Sequence, residues 1–208
     1  MSINISGKKI TGITPRTAQV FDTSGSHTWK RPEGCKFIRV QLVGGGGGSA
    51  GYVESGGAGG YSEKYMDVRN LSQVSVTVGG GGATLTYYGN ASDGGTTSFG
   101  TYLTATGGYG ANRNVQHEGG RGGIGSGGDV NLFGGKGAGH GNGCGSWGPN
   151  RGGISYFGGP SGRRHSDNAN NTGEQNAAPG AGGSGGKTDA TVGGGPGMPG
   201  IVIVHEYY

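Results

Sequence analysis

The chain has 208 residues, of which 56 are glycine, and a formal net charge of +4. Only 30% of the residues are apolar, so a conventional core would be thin, and 13% are charged, which is fewer than in most disordered chains. The 16 lysine and arginine residues are scattered, which argues against nucleic acid as a partner. No run approaches the roughly 20 apolar residues of a membrane span. Residues 1–10 lack the apolar run of a signal peptide, so we expect synthesis in a cytoplasm without secretory export.

The two cysteines, Cys35 and Cys144, stand far apart and in different contexts. A single disulfide is open to them, but two free thiols fit a reducing cytosol better. His140 and Cys144 could meet at a metal ion, but a second such pair is missing nearby, which favours a structural role. We therefore expect neither a cofactor nor a metal.

Strand-like stretches follow one another from residue 20 onward. Residues 1–18 are polar and are predicted to form an N-terminal tail or attachment segment, with an edge strand as a further alternative, and residues 19–208 a single domain. Lys36 to Val43 alternates apolar and polar residues, and Ile201 to Val204 is a continuous apolar run, typical of a strand buried on both faces. The predicted strands are 20–22, 27–30, 36–43, 61–68, 74–78, 96–99, 102–106 and 201–204.

Glycine is concentrated between residues 119 and 200, where it occupies 31 of 82 positions. Several glycines recur every third residue, as in Gly194, Gly197 and Gly200, and this is the period of the polyproline II helix. Glycine also lets backbones approach closely. The same composition would fit a flexible linker, but the strands on both sides favour order. The predicted fold is therefore all-β or irregular: short antiparallel strands plus stacked polyglycine II (PPII) helices in a glycine-rich sandwich, with almost no α-helix.

The order of the strands and glycine runs carries a family resemblance. It starts with a Phe-x3-Gly-x3-Trp-x2-Pro-x-Gly pattern at residues 21–34 and continues through 40–48 (VQLVGGGGG), 56–64 (GGAGGYSEK) and 74–82 (VSVTVGGGG). The remaining pieces are 94–100 (GGTTSFG), 103–110 (LTATGGYG) and 194–204 (GGPGMPGIVIV). Together these resemble the glycine-rich domain at the tips of bacteriophage tail fibres. The chain is also similar to the glycine-rich receptor-binding adhesin of T-even-like phage long tail fibres, although residues 1–18 are too short for that adhesin's own fibre-docking domain.

The resemblance implies a virion protein at the distal end of a tail fibre. Such an adhesin binds a bacterial outer-membrane protein or surface glycan through loops displayed between polyglycine II helices. The implied partners are that receptor and other tail-fibre proteins, and the implied assembly is either a homotrimer or a monomeric cap on a trimeric fibre. The alternative is a structural fibre-end module without receptor binding.

The residues point independently to recognition by loops. A glycine lattice offers few side chains, and loops on a rigid scaffold commonly carry binding groups. The loops are 84–93, 109–118, 146–157 and 161–178. Packing against a glycine helix is an equal alternative for Tyr156 and Phe157. The candidate receptor-binding residues are Tyr87, Tyr88, Asn90, Tyr109, Asn112, Arg113, His117, Trp147, Asn150, Tyr156, Arg163, Arg164 and His165.

Enzymatic function has little support in the sequence. A glycan hydrolase would need a pair of carboxylates, and the 12 acidic residues are spread out. Gly44 to Gly48 follows a strand, but no Gly-Lys-Ser/Thr follows it, so it is not a phosphate loop. The sequence predicts a protein that is not an enzyme.

Overall fold

A computed structural model of the chain describes residues 2–5, 8–11, 15–50, 54–85, 90–112, 118–139, 151–159, 177–185 and 194–208. This part of the chain contains strands and no helix, which confirms the all-β prediction. No helix in it could cross a membrane. The strands are β1 (Ser2–Ile5), β2 (Lys8–Thr11), β3 (Pro15–Phe21), β4 (Gly25–Lys30), β5 (Phe37–Val43), β6 (Tyr61–Asp67), β7 (Gln73–Val78), β8 (Thr97–Phe99), β9 (Leu103–Ala105), β10 (Gly125–Ser126), β11 (Val130–Leu132) and β12 (Ile201–Tyr207).

Two five-stranded antiparallel sheets face each other across one apolar core. Sheet 1 has the order β10-β9-β8-β7-β4, and sheet 2 has the order β11-β6-β5-β12-β3. The strand predicted from the alternating pattern of residues 36–43 is confirmed as β5, and its Ile38, Val40 and Leu42 are all fully buried between the sheets. Trp29 and Phe99 from sheet 1 complete the centre of the core, with their rings tilted at 5.9 Å between centroids.

Strand β12 departs from the prediction that both of its faces are buried. Val202 and Val204 are fully buried in the core, whereas Ile201 and Ile203 are only half-buried. Strand β12 lies between β5 and β3 in sheet 2, and sheet 1 covers just one of its two faces. The opposite face is only partly covered, so the continuous apolar run overstated the burial.

A buried carboxylate ties the two sheets together. Glu206 on β12 is 1% exposed and accepts a hydrogen bond from the indole N–H of Trp29 on β4, at 2.9 Å. The side-chain amide of Gln19 on β3 donates to the same carboxylate oxygen at 2.7 Å. Removing the acceptor would leave the buried indole N–H of Trp29 unpaired, so this contact stabilises the packing of the two sheets.

The N-terminal segment contains ordered strands. Strands β1 and β2 pair as an antiparallel hairpin, and β3 begins at Pro15 and pairs with β12. Its residues 15–18 therefore belong to sheet 2. An attachment role for residues 1–18 stays a prediction.

Beyond the sheets, glycine-rich stretches run side by side and are joined by backbone hydrogen bonds. Segment 44–50 continues β5 and lies at the centre of six neighbours. Its successive N–H groups donate to three antiparallel segments in turn, so that Gly44 and Gly47 both donate to segment 54–60, at Gly60 and Gly57. Its carbonyl groups accept from three parallel segments. A change of partner at each residue, with return every third residue, is the hydrogen-bonding pattern of this lattice.

Segment 54–60 is a second centre with six neighbours of its own, and all residues of both centres are buried. The other eight segments form a closed ring around the two centres. We call these ten stretches the glycine segments: 44–50, 54–60, 79–85, 91–95, 106–111, 118–124, 134–138, 151–154, 180–185 and 194–200. Eight of them begin or end within one residue of a strand. The other two, 151–154 and 180–185, adjoin no strand and hydrogen-bond to the central segments. Their polyglycine II conformation stays a prediction.

The close approach of these segments requires glycine. A Cβ atom on Gly183 would overlap the carbonyl oxygen of Gly195 in the neighbouring segment, and one on Gly122 would overlap that of Gly134. Gly80 differs, because the nearest atom to a Cβ there is the Ser24 hydroxyl oxygen at 3.7 Å. The lattice therefore excludes side chains at most of its glycine positions but has room for one at the partly exposed Gly80.

We expect Gly183→Ala to lower the free energy of unfolding by about 2 kcal/mol or more, because the methyl group would push two hydrogen-bonded backbones apart. Valine at Gly122 or Gly183 should prevent folding. Gly80→Ala is the matched control and should leave the melting temperature nearly unchanged. Thermal unfolding followed by circular dichroism measures all three effects. Equal melting temperatures for Gly183→Ala and the parent protein would contradict the lattice arrangement.

Candidate functional site

The glycine segments have one end next to the sheets and one end far from them, which we call the distal end. The distal end comprises residues 50, 54, 85, 90, 112, 118, 139, 151, 185 and 194. Cross-segment pairing places them at one level, since Ala50 bridges to Leu85, and Asn112 bridges to both Asn90 and Glu118. Strand β3 enters sheet 2 from the opposite end of the molecule, where Pro15 pairs with Tyr207.

Three of the four predicted loops connect residues of the distal end. The stretches between them, 86–89, 113–117 and 140–150, hold Tyr87, Tyr88, Arg113, His117, Trp147 and Asn150, and lie outside the described residues. The fourth loop departs from a different place. It joins residue 159 to residue 177, close to Gly180, which hydrogen-bonds beside the sheets to Pro199 and Gly59. Arg163, Arg164 and His165 in this loop are also outside the described residues.

The structure describes four of the thirteen candidate residues, and three of them share one surface. Asn90, Tyr109 and Asn112 lie along a groove of about 700 Å³ on the outer side of four neighbouring glycine segments. Tyr109 is 53% exposed there. We call this surface the side face; it comprises Asn90, Asp93, Tyr109, Asn112, Glu118, Arg121, Ile124, Phe133 and Lys136.

Side chains on the side face recur at every third residue. In segment 118–124, Glu118, Arg121 and Ile124 are exposed, while the glycines between them are mostly buried. Phe133 and Lys136 repeat the pattern on the next segment. The side chains thus form rows along the segments, and the antiparallel register aligns them into columns across the segments.

The columns differ in chemistry. Nearest the sheets, Ile124 bridges to Phe133, and these side chains are 49% and 76% exposed. In the middle column, Arg121 lies between Tyr109 and Lys136, since the Tyr109 N–H donates to the Arg121 carbonyl oxygen at 2.9 Å. The distal column is polar and contains the bridged residues Asn112 and Glu118.

Three of the charged groups on the side face are already engaged. One Asp93 carboxylate oxygen accepts the backbone N–H of Gly110 at 2.7 Å. Lys136 and Glu118 form an ion pair at 3.6 Å. These contacts fix the rim of the groove around Arg121.

The premise that the glycine lattice carries few side chains is wrong for this outer surface. It holds for the glycines of the two buried central segments, where a Cβ atom would collide with a neighbouring backbone. The signal for the side face was in the sequence, as Glu-Gly-Gly-Arg-Gly-Gly-Ile at 118–124 and Phe-Gly-Gly-Lys at 133–136. A non-glycine residue at every third position marks the outward direction of a three-residue repeat.

Tyr156, the fourth described candidate, lies apart from the side-face groove. Its ring stacks on Tyr61 with 3.6 Å between centroids, and Phe157 packs edge-on against both rings. Tyr156 is nevertheless 51% exposed, so it packs one ring face on Tyr61 of β6, not on a glycine helix, and presents the rest to solvent.

Tyr61 anchors this aromatic cluster through a buried polar network. Burial and its hydrogen bond to Glu63 hold the pKa of Tyr61 far above its ordinary value. Arg39 donates two hydrogen bonds to the Glu63 carboxylate, at 2.8 and 2.9 Å. Burial acts to raise the pKa of Glu63, but the hydrogen bonds from Arg39 and Tyr61 outweigh it, and the pKa lies below its ordinary value of 4.5.

The described residues do not bring three His, Cys, Asp or Glu side chains together as a metal site would need. Cys35 is a buried free thiol, and burial raises its pKa. Cys144 and His140 lie outside the described part of the chain.

A family model for a glycine-rich domain matches residues 22–207. The chain therefore belongs to the glycine-rich domain family. None of the curated proteins matches the sequence.

We expect Glu63→Gln to destabilise the protein by about 2 kcal/mol at neutral pH, because Arg39 and Tyr61 lose a charged acceptor. A folded-state pKa below the unfolded value means that Glu63 stabilises the protein above about pH 4.5 and loses this effect as the pH falls through the folded pKa. Urea unfolding at several pH values should show the parent and the variant converging in acid. A difference in stability that stays constant from neutral to strongly acidic pH would contradict this role.

Proposed function

We propose that the protein is a phage tail-fibre tip adhesin that binds a bacterial outer-surface receptor, either an outer-membrane protein or a surface glycan. The observation that carries the proposal is the polarity of the fold. The residues that flank loops 86–89, 113–117 and 140–150 lie together at the distal end. Strand β3 enters sheet 2 at the opposite end of the molecule. An adhesin needs this separation of an attachment end from a recognition end.

The stiffness of the lattice also supports a role in presenting loops to a receptor. Its backbone groups hydrogen-bond to one another, and its central segments are buried, so it forms a stiff support for what it carries. Tyrosine and tryptophan in the distal loops would supply contact area at low entropic cost, and arginine would supply charge-assisted hydrogen bonds. As a virion protein at the end of a fibre, the chain would contact other tail-fibre proteins, either as a homotrimer or as a monomeric cap.

An alanine scan tests the location of recognition. We expect Trp147→Ala and the double variant Tyr87→Ala/Tyr88→Ala each to weaken binding of the purified protein to host cells by about 2 kcal/mol or more, because binding energy is concentrated in a few aromatic and arginine residues. Receptor-deletion strains of the host provide the comparison. Arg163→Ala and Arg164→Ala, in the loop that departs beside the sheets, test whether that loop also takes part.

Lys30→Ala is the matched control, because Lys30 is exposed on β4, far from the distal end. Circular dichroism separates loss of binding from loss of folding. If all the loop variants bound host cells normally while Lys30→Ala did not, recognition would lie elsewhere. If the parent protein bound no cells at all, a structural fibre-end module would be the better description.

We further expect the adhesin to be non-catalytic and to need neither a metal nor a cofactor. Incubation of the purified protein with host envelope glycans should release no reducing sugar above a buffer control, in the presence or absence of a chelator. Sustained release of reducing ends in proportion to protein concentration would identify a hydrolase instead.

A further inference from the structure

The side face has the dimensions and composition of a ligand site in its own right. Its groove of about 700 Å³ falls within the roughly 300–1,000 Å³ of small-molecule sites. Aromatic, amide and charged side chains converge on it from four segments whose backbones are held in place by hydrogen bonds. The main chain beneath these exposed side chains is already ordered, which lowers the entropic cost of binding.

Arg121 supplies a positive charge in the middle of a groove that is also lined by Asp93, Glu118 and Lys136. The carboxylate of Asp93 accepts a backbone N–H, and that of Glu118 pairs with Lys136. Within the described part of the chain, no carboxylate lies within ion-pair distance of Arg121. A guanidinium group presents paired N–H donors that match a carboxylate or a phosphate.

Apolar side chains flank this charge. Tyr109 is 53% exposed and Phe133 is 76% exposed, on segments to either side of the one that carries Arg121. A sugar ring has apolar C–H faces that pack on aromatic rings, and hydroxyl groups at its edge that need donors and acceptors. The side-chain amides of Asn90 and Asn112 can supply both.

We propose that the groove of the side face binds an acidic sugar, with Arg121 contacting its carboxylate or phosphate group and the rings of Tyr109 and Phe133 contacting its C–H faces. The volume accommodates about two or three sugar rings. The site offers Arg121 as a single cation without a carboxylate partner among the described residues, not a continuous basic track for a long polyanion. As a contribution to host attachment this inference rests on the proposed function, whereas the binding itself can be measured without cells.

Isothermal titration calorimetry on the full chain tests the assignment with three probes. They are trigalacturonate, its neutral methyl ester, and glucose 6-phosphate. We expect saturable binding of trigalacturonate that weakens between about 0.1 M and about 1 M NaCl, because salt screens an exposed ionic contact. The methyl ester should bind at least about tenfold more weakly, since it lacks the charge that Arg121 recognises. Binding of glucose 6-phosphate would support the same site and extend it to phosphate.

Substitutions locate the contact. Arg121→Ala should raise the Kd for trigalacturonate about tenfold, whereas Arg69→Ala, which removes the same charge from an exposed turn beside β6, should leave it unchanged. Tyr109→Ala should weaken binding of trigalacturonate and of its methyl ester alike, because the aromatic contact does not depend on the charge. Circular dichroism verifies folding, and the outward positions of both side chains make these substitutions compatible with the lattice.

Three results would overturn the assignment: no saturable binding of either anionic probe, equal affinity for trigalacturonate and its methyl ester, or equal effects of Arg121→Ala and Arg69→Ala. These failures are distinguishable from failure of the proposed function. If neither anionic sugar bound but Trp147→Ala abolished adhesion to cells, the sugar site would be contradicted and the adhesin function supported. If the sugars bound as described but the parent protein adhered to no bacterial surface, the sugar site would be supported and the adhesin function contradicted.

Discussion

Direct hydrogen bonding between glycine backbones is the contact on which the rest of this molecule depends. Buried peptide groups must find partners, and here the partners lie in neighbouring segments rather than within a helix. Such close neighbours leave no room for a Cβ atom, as at Gly46, where a methyl group would overlap the carbonyl oxygen of Ala181. Six neighbours around segment 44–50 and six around segment 54–60 therefore exist only because these segments are nearly free of side chains.

The lattice and the sandwich are continuous with each other. Strand β5 leads directly into segment 44–50, and segment 54–60 leads directly into β6, so the two central segments extend two adjacent strands of sheet 2. The sandwich concentrates the apolar residues around Trp29 and Phe99. A chain with 30% apolar residues thus forms an ordered domain, since one part is stabilised by apolar burial and the other by hydrogen bonds between backbones.

Local patterns in the sequence were sufficient for the strands but not for the arrangement of the lattice. The alternation in 36–43 and 74–78 predicted β5 and β7, and both formed. The hairpin of β1 and β2 could not be singled out, because its polar residues fit an edge strand, a tail or an attachment segment equally well. The stretch 119–200 holds 31 of the 56 glycines, whereas the two centres are 44–50 and 54–60. Glycine runs look alike in sequence, so only contacts between distant residues decide which run is central. The distal loops with Tyr87, Tyr88 and Trp147 lie outside the described residues.

The three-residue repeat that builds the lattice also separates its stability from its surface chemistry. Two of every three positions in an outer segment face neighbouring backbones, where glycine is required, and the third faces solvent. Arg121 and Lys136 occupy such third positions, and the Arg121 carbonyl oxygen accepts its hydrogen bond from the Tyr109 N–H whatever side chain residue 121 carries. Exchanging an outward side chain therefore alters the surface without disturbing the hydrogen bonds beneath it. The side face can therefore change its chemistry by single substitutions while the two buried centres stay the same.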